Sequence, residues 1–175
     1  GRDKTAIVEY DLAAKKEVKE IYANAEYDVD GLSYSEKRKV LTHASFTSWK
    51  RENHVLDAET EAEYKKMQDK FKGYEIGIYG NNNAEDKFVV WTGNDKVAAK
   101  YYFFDKKTGD TKFLADAFSW LKEENMATMK PVEYKSRDGL TIHGYLTLPK
   151  GYEAKNLPVV INPHGGPWAR DVWGF

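Results

Sequence analysis

The sequence predicts a mainly β chain with one inserted helix and, at its C-terminal end, the opening of an α/β sheet. Three observations carry that expectation. Aromatic residues make up 14% of the chain, with 12 Tyr, 8 Phe and 5 Trp. They sit in short runs bounded by Gly, Asn and Asp, a pattern of strands and turns. The same strand–turn–strand pattern occurs near the start and again near residue 100. Close to the C-terminus, period-two alternation gives way to a continuous apolar run that breaks into a glycine pair.

Ala6-Ile7-Val8-Glu9-Tyr10 reads as a strand, Asp11 to Lys16 as a polar turn, and Glu17 to Tyr22 alternates at period two as the return strand. The device recurs in Lys100 to Phe104, a turn from Asp105 to Asp110 through Thr108-Gly109, and Thr111 to Leu114. Tyr10-Asp11 corresponds to Phe104-Asp105, an offset of 94 residues. Half of that offset falls within the ~40–50 residues of one four-stranded propeller blade. Between the two hairpins, Gly31 to Ser35, Lys39 to Phe46, Tyr74 to Tyr79 and Lys87 to Thr92 are further strands, the last two separated by a turn from Gly80 to Asp86.

One segment departs from the β pattern. Ala58 to Lys72 holds helix formers throughout, with Asp57 placed as N-cap. Glu59, Glu61 and Glu63 come early and Lys65, Lys66, Lys70 and Lys72 late, the order the helix dipole favours. Tyr64, Met67 and Phe71 form a narrow apolar stripe expected to dock on the adjacent sheet, and Gly73 can end the helix.

Asn125 to Pro131 marks a boundary. After it, Val132-Glu133-Tyr134 leads into a turn at Arg137-Asp138-Gly139. Leu140, Ile142, Gly144, Leu146 and Leu148 then alternate with Thr141, His143, Tyr145 and Thr147. Leu157-Pro158-Val159-Val160-Ile161 is nearly continuous in apolar character, as expected of a strand covered on both faces. The expected division is therefore residues 1–128 and residues 129–175.

Composition narrows the function classes. The chain has 175 residues and a net charge of -1, which gives no electrostatic reason to expect nucleic acid or an anionic membrane as partner. Mean hydropathy is -0.73. No apolar run approaches the ~20 residues of a membrane span. The basic cluster Lys37-Arg38-Lys39 reads as a solvated turn. With no cysteine, the segment holds no disulfide, zinc–thiolate site or cysteine nucleophile. No motif calls for a cofactor or a metal. Gly1-Arg2-Asp3-Lys4 has neither an initiator Met nor an apolar leader, so the segment is expected to be the interior of a longer chain, and it does not choose a compartment.

The chemistry is concentrated in Pro163-His164-Gly165-Gly166-Pro167. A strand that ends in a glycine pair can aim bare backbone N–H groups at one point, which is how enzymes meet negative charge developing on a substrate oxygen. Glycine lets that backbone approach a tetrahedral centre without a Cβ clash.

Tyr134-Lys135-Ser136-Arg137-Asp138-Gly139-Leu140-Thr141-Ile142-His143-Gly144-Tyr145-Leu146, then Leu148-Pro149, then Pro158 to Pro167, resembles the start of the peptidase domain in the prolyl oligopeptidase family, in its acylaminoacyl-peptidase and dipeptidyl-peptidase branch. The motif covers residues 131–175; the strand repeats before it fit the β-propeller that precedes the hydrolase domain in that family. The resemblance implies that residues 1–128 are the C-terminal part of a β-propeller and 129–175 the N-terminal part of an α/β-hydrolase domain. It implies a serine peptidase with a Ser-Asp-His triad acting on short peptides through an acyl-enzyme. In the matching loop, the N–H of Gly166, with Gly165 beside it, is the implied oxyanion donor, and the second donor follows the nucleophile.

The segment departs from that pattern in one respect: it has no nucleophile elbow. Gly31-Leu32-Ser33-Tyr34-Ser35 comes nearest, with Ser where the closing Gly belongs and no helix-forming stretch after it. The triad Ser, Asp and His are expected beyond residue 175, and the segment alone is expected to be inert. His164 is expected to shape the loop, His143 to lie on a strand surface, and His43 and His54 to be structural. Trp168 and Trp173 are expected to pack beneath the loop. Two rival readings stand beside the peptidase: an esterase of the same sheet fold, and a β-propeller binding module without catalysis. Unpaired strand edges lead to one further expectation, association of copies of the chain.

Overall fold

The computed structural model describes residues 1–175. The chain folds into eleven strands in four antiparallel sheets, with one α-helix. Strands β1 (Ala6–Asp11) and β2 (Lys16–Ala23) form a hairpin. Strands β3 (Val29–Ser35), β4 (Val40–Thr47) and β5 (Arg51–Val55) form a three-stranded meander. Helix α1 (Ala58–Lys70) comes next. Strands β6 (Glu75–Asn81), β7 (Lys87–Gly93), β8 (Lys100–Asp105) and β9 (Thr111–Asp116) form a four-stranded meander. Strands β10 (Met129–Lys135) and β11 (Thr141–Thr147) close the series as a second hairpin. In every sheet, spatial order equals chain order.

The turns are built by side chains that accept backbone N–H groups. Asp11 Oδ1 accepts from Ala13 and Ala14 at 2.8 and 2.9 Å. Asp105 Oδ1 accepts from Lys107 and Thr108 at 2.9 and 3.4 Å. Each Asp is the last residue of its strand, and each removes two donors that the turn would otherwise leave unpaired. Asp57, just past β5, has the same part: its carboxylate accepts from the Thr60 N–H at 3.0 Å. Here the accepted group opens a helix instead of a hairpin, so Asp57 is the N-cap of α1. Asp11, Asp57 and Asp105 thus recur at intervals of 46 and 48 residues. After the third strand of the middle unit, α1 stands where the other two units have a return strand. In the β8–β9 turn, Gly109 takes φ +73°, which side chains rarely adopt, and donates its N–H to Asp105 O at 2.8 Å.

The apolar core lies under α1. Met67, Phe88, Val90 and Phe104 are buried together, with Phe71 and Ile76 packed against them. Met67 and Phe71 of the predicted stripe therefore dock on the β6–β9 sheet, with the Phe71 ring 4.8 Å from that of Tyr102, whereas Tyr64 faces His43 of the β3–β5 sheet. A second apolar cluster joins the β1–β2 hairpin to the β3–β5 sheet. The ring of Phe46 lies 5.9 Å from Tyr27 and 6.3 Å from Tyr22, and Tyr22 stacks on His54 at 4.0 Å.

Three expectations need correction. Strand β5 has no signal in the sequence, because Arg51-Glu52-Asn53-His54 lacks apolar alternation; it forms through its ladder with β4. The run Leu157 to Ile161 is not a buried strand here. It is extended coil, with Val159, Val160 and Ile161 81–91% exposed. A strand is held by its neighbour's hydrogen bonds, and the β10–β11 sheet offers this run no pairing. Nor is Lys37-Arg38-Lys39 simply a solvated turn. Lys39 is exposed, but the Arg38 side chain is only 20% exposed and is bound by Asp57 and Thr60.

Candidate functional site

Two features of the fold are candidate sites: the glycine loop, and a cavity of about 750 Å³ between the β3–β5 sheet, α1 and β6–β7.

The loop lies on the surface. Gly165 has no heavy atom within 4 Å of where a Cβ would stand, and at Gly166 the nearest is the His164 ring at 3.7 Å. His164 Nδ1 lies 2.6 Å from the Gly165 carbonyl oxygen, so the imidazole folds back on its own loop. The Gly165 and Gly166 N–H groups donate to nothing else in the chain. Gly166 precedes a cis Pro167. Two adjacent free N–H groups with open space beside them can donate to an anionic oxygen.

The chain beyond the loop is fastened to the β-sheet region. Arg170 donates to the carbonyl oxygens of Ser48 at 2.6 Å and Thr47 at 3.4 Å. Trp173 donates its indole N–H to Met129 O at 3.0 Å and meets Trp49 edge-on at 5.6 Å. Phe175 stacks with Phe118 at 6.1 Å. The expectation for the two tryptophans divides: Trp173 is packed, whereas Trp168 is 97% exposed and packs under nothing. These anchors fix residues 170–175 against the β4–β5 turn and leave the glycine pair projecting.

The cavity is lined mainly by polar residues, Ser33, Arg38, His43, Ser45, Glu63 and Tyr64 among them. Ser33 lies in mid-strand on β3, opposite His43 on β4, with its Oγ 3.0 Å from His43 Nε2. Burial pushes the His43 ring below the ordinary histidine range, and Arg51 adds to the shift. His43 Nδ1 faces the Thr42 hydroxyl at 3.3 Å, with no carboxylate to orient it. Ser33 is followed by a turn into β4, not by the helix of a nucleophile elbow. The pair is therefore a cross-strand hydrogen bond on a cavity wall. Of the other histidines, His54 stacks on Tyr22, and His143 faces Glu133 across the β10–β11 ladder at 3.0 Å.

No family model matches the chain, and no solved structure does. Among curated proteins, the dipeptidyl aminopeptidase BIII of Pseudoxanthomonas mexicana is 28% identical over 182 residues, an alignment that takes in all of this chain and 26% of that protein. The chain is similar to a peptidase. It spans about a quarter of the length of that relative.

Sequence reasoning singles out Gly165, Gly166 and His164, which the structure places together in one loop. It misses the cavity, because the residues that line it come from turns and strands far apart in the chain. The recurrent Asp at 11, 57 and 105 is the signal that aligns β5 and α1 with the flanking hairpins.

Proposed function

We propose that these 175 residues are part of a serine peptidase that cleaves short peptides through an acyl-enzyme. In this reading, residues 1–128 are the last blades of a β-propeller and residues 129–175 begin an α/β-hydrolase domain. The observation that carries it is the likeness of the whole chain to a dipeptidyl aminopeptidase. The four-stranded meander β6–β9, and the spacing of Asp11, Asp57 and Asp105, suit propeller blades.

The exposed apolar run Val159 to Ile161 suits a strand that pairs with sequence outside this segment.

The part assigned to this segment is charge stabilisation. A serine hydroxyl attacks the scissile carbonyl carbon as a histidine takes its proton, and the carbonyl oxygen becomes an oxyanion. The Gly166 N–H, with Gly165 beside it, donates to that oxygen. When the carbonyl re-forms, the C–N bond breaks and the amine leaves with the proton from the histidine. Serine, histidine and the carboxylate that orients the histidine belong to other parts of the protein, so the segment alone is inert. Its partner is a short peptide, and no cofactor enters the scheme.

The test is hydrolysis of a dipeptidyl chromogenic substrate by the whole protein and by the 175 residues alone. Activity in the first and none in the second is the expected result. Turnover by the isolated segment, or by neither, overturns the reading.

A further inference from the structure

The β3–β5 sheet is joined to its two neighbours by different chemistry. Toward the β1–β2 hairpin the joint is aromatic: Tyr22, Tyr27 and Phe46 pack ring against ring. Toward α1 and the β6–β9 sheet it is almost wholly polar. The one ring contact there is Tyr64, edge-on to His43 at 5.8 Å. The apolar core beneath α1 belongs to α1 and β6–β9 alone. The helix therefore packs as one body with that sheet, and the cavity lies between that body and β3–β5.

We propose that Arg38 is an ionic latch that holds the β3–β5 sheet against α1 and β6–β9 and so controls entry of small solutes to the cavity between them, with Lys106 fixing from the other side the helix end that Arg38 grips. Arg38 lies in the β3–β4 turn. Its guanidinium pairs with Asp57, reaches Glu59 at 3.6 Å, and donates to Thr60 Oγ1 at 2.8 Å. Lys106 lies in the β8–β9 turn. It donates to Glu59 at 2.6 Å from the other side and pairs with Glu63. The first two turns of α1 are thus gripped from both sheets, with Glu59 shared between the two cations. The β3–β4 and β6–β7 turns add Ser35 to Glu85 and Lys37 Nζ to the Ala84 carbonyl oxygen at 2.9 Å.

Ser35, Arg38, Thr60, Glu63, Glu85 and Lys106 all line the cavity, so the latch is part of its wall. At the opposite end of β4 the closure is again charged, Lys50 with Glu75. The side chains of Arg38 and Asp57 are about one-fifth exposed. Such a pair is open enough to water to respond to salt. These contacts hold whether or not the chain belongs to a peptidase.

The absence of cysteine from the sequence gives a clean probe. Ser45 is 6% exposed and lines the cavity, and Thr92 is 1% exposed but lies outside it. In the whole protein, Ser45→Cys and Thr92→Cys are alkylated with iodoacetamide, a neutral reagent, and modification is read by peptide mapping. Adding Arg38→Gln, or about 1 M salt where the Debye length is ~3 Å, is expected to speed alkylation at position 45. The expected gain is up to about fivefold, with position 92 unchanged. Arg38→Lys, which keeps the charge but not the two-pronged grip, should restore part of the protection. If Ser45→Cys does not fold, Ser33→Cys on the same wall gives the same readout. Equal acceleration at positions 45 and 92 means general loosening and overturns the latch, as does an unchanged rate at 45.

Discussion

Asp11 and Asp105, 94 residues apart, occupy the same place in two hairpins: each ends a strand and accepts the N–H groups of the residues two and three further on. Asp57 stands between them in sequence and uses the same acceptance to start a helix. One carboxylate position is thus compatible with either continuation of the chain. The next four residues decide: Lys106-Lys107-Thr108-Gly109 can turn back, and Ala58-Glu59-Thr60-Glu61 propagates a helix.

Replacing Asp105 by Ala should therefore cost about 1 kcal/mol, the usual net worth of a hydrogen-bonded turn side chain. Replacing Asp57 by Ala should lower the melting temperature further, because it removes a cap and the Arg38 partner together. Thermal unfolding of the two variants checks the order.

The core under α1 should behave as one unit. Met67 is 1% exposed and meets Phe88, Val90 and Phe104. Met67→Ala should destabilise by about 2–5 kcal/mol, and Met67→Leu by less than about 1.5 kcal/mol. Urea unfolding with an unchanged m-value would show that stability alone has moved.

Acid should loosen the same region. The Arg38 guanidinium, with help from Thr60, holds the Asp57 carboxyl at about 2, below its ordinary 3.8. Lys107, then Asn82, hold Asp86 at about 2. The native chain therefore binds these protons more weakly than the unfolded chain. The stabilisation is present above about pH 4 and drains as pH falls toward 2. Melting temperature measured from pH 6 to pH 2 should fall across that window, and Arg38→Gln should flatten the fall.

At the alkaline end, Tyr74 donates to Glu123 at 2.7 Å, and this bond, with burial, pushes its phenol up to about 12. The folded chain resists that ionisation, so the contribution is full below pH 10 and lost as pH rises toward 12. Absorbance titration should show one tyrosine fewer ionising near pH 10–11 than in Glu123→Gln.

Much of the fold is legible because the chain writes its strands in aromatic alternation and its turns in Asp, Asn and Gly. The hairpins at Asp11 and Asp105 and the cap at Asp57 can be placed from residue type alone. The features that escape depend on partners distant in sequence. Arg51 to Val55 is a strand because β4 offers it a ladder. Leu157 to Ile161 has the composition of a strand and lacks the neighbour that would make it one. Arg38 reads as one of three basic residues in a turn until the chain brings Asp57 and Thr60 against it. The glycine pair can be found because its meaning lies in the backbone freedom of two adjacent residues. The cavity cannot, because no short stretch contains it.

The most direct measurement is kcat/KM for a dipeptidyl chromogenic substrate in the whole protein, with and without Gly166→Ala. At Gly166 an added Cβ would meet only the His164 ring at an ordinary 3.7 Å, so the fold and melting temperature should hold. In the proposed reading, the added methyl narrows the approach of a tetrahedral intermediate to the N–H. A fall on the order of a hundredfold or more, carried by kcat, is the predicted result. Full activity in Gly166→Ala, or no peptidase activity in the unaltered protein, would contradict it.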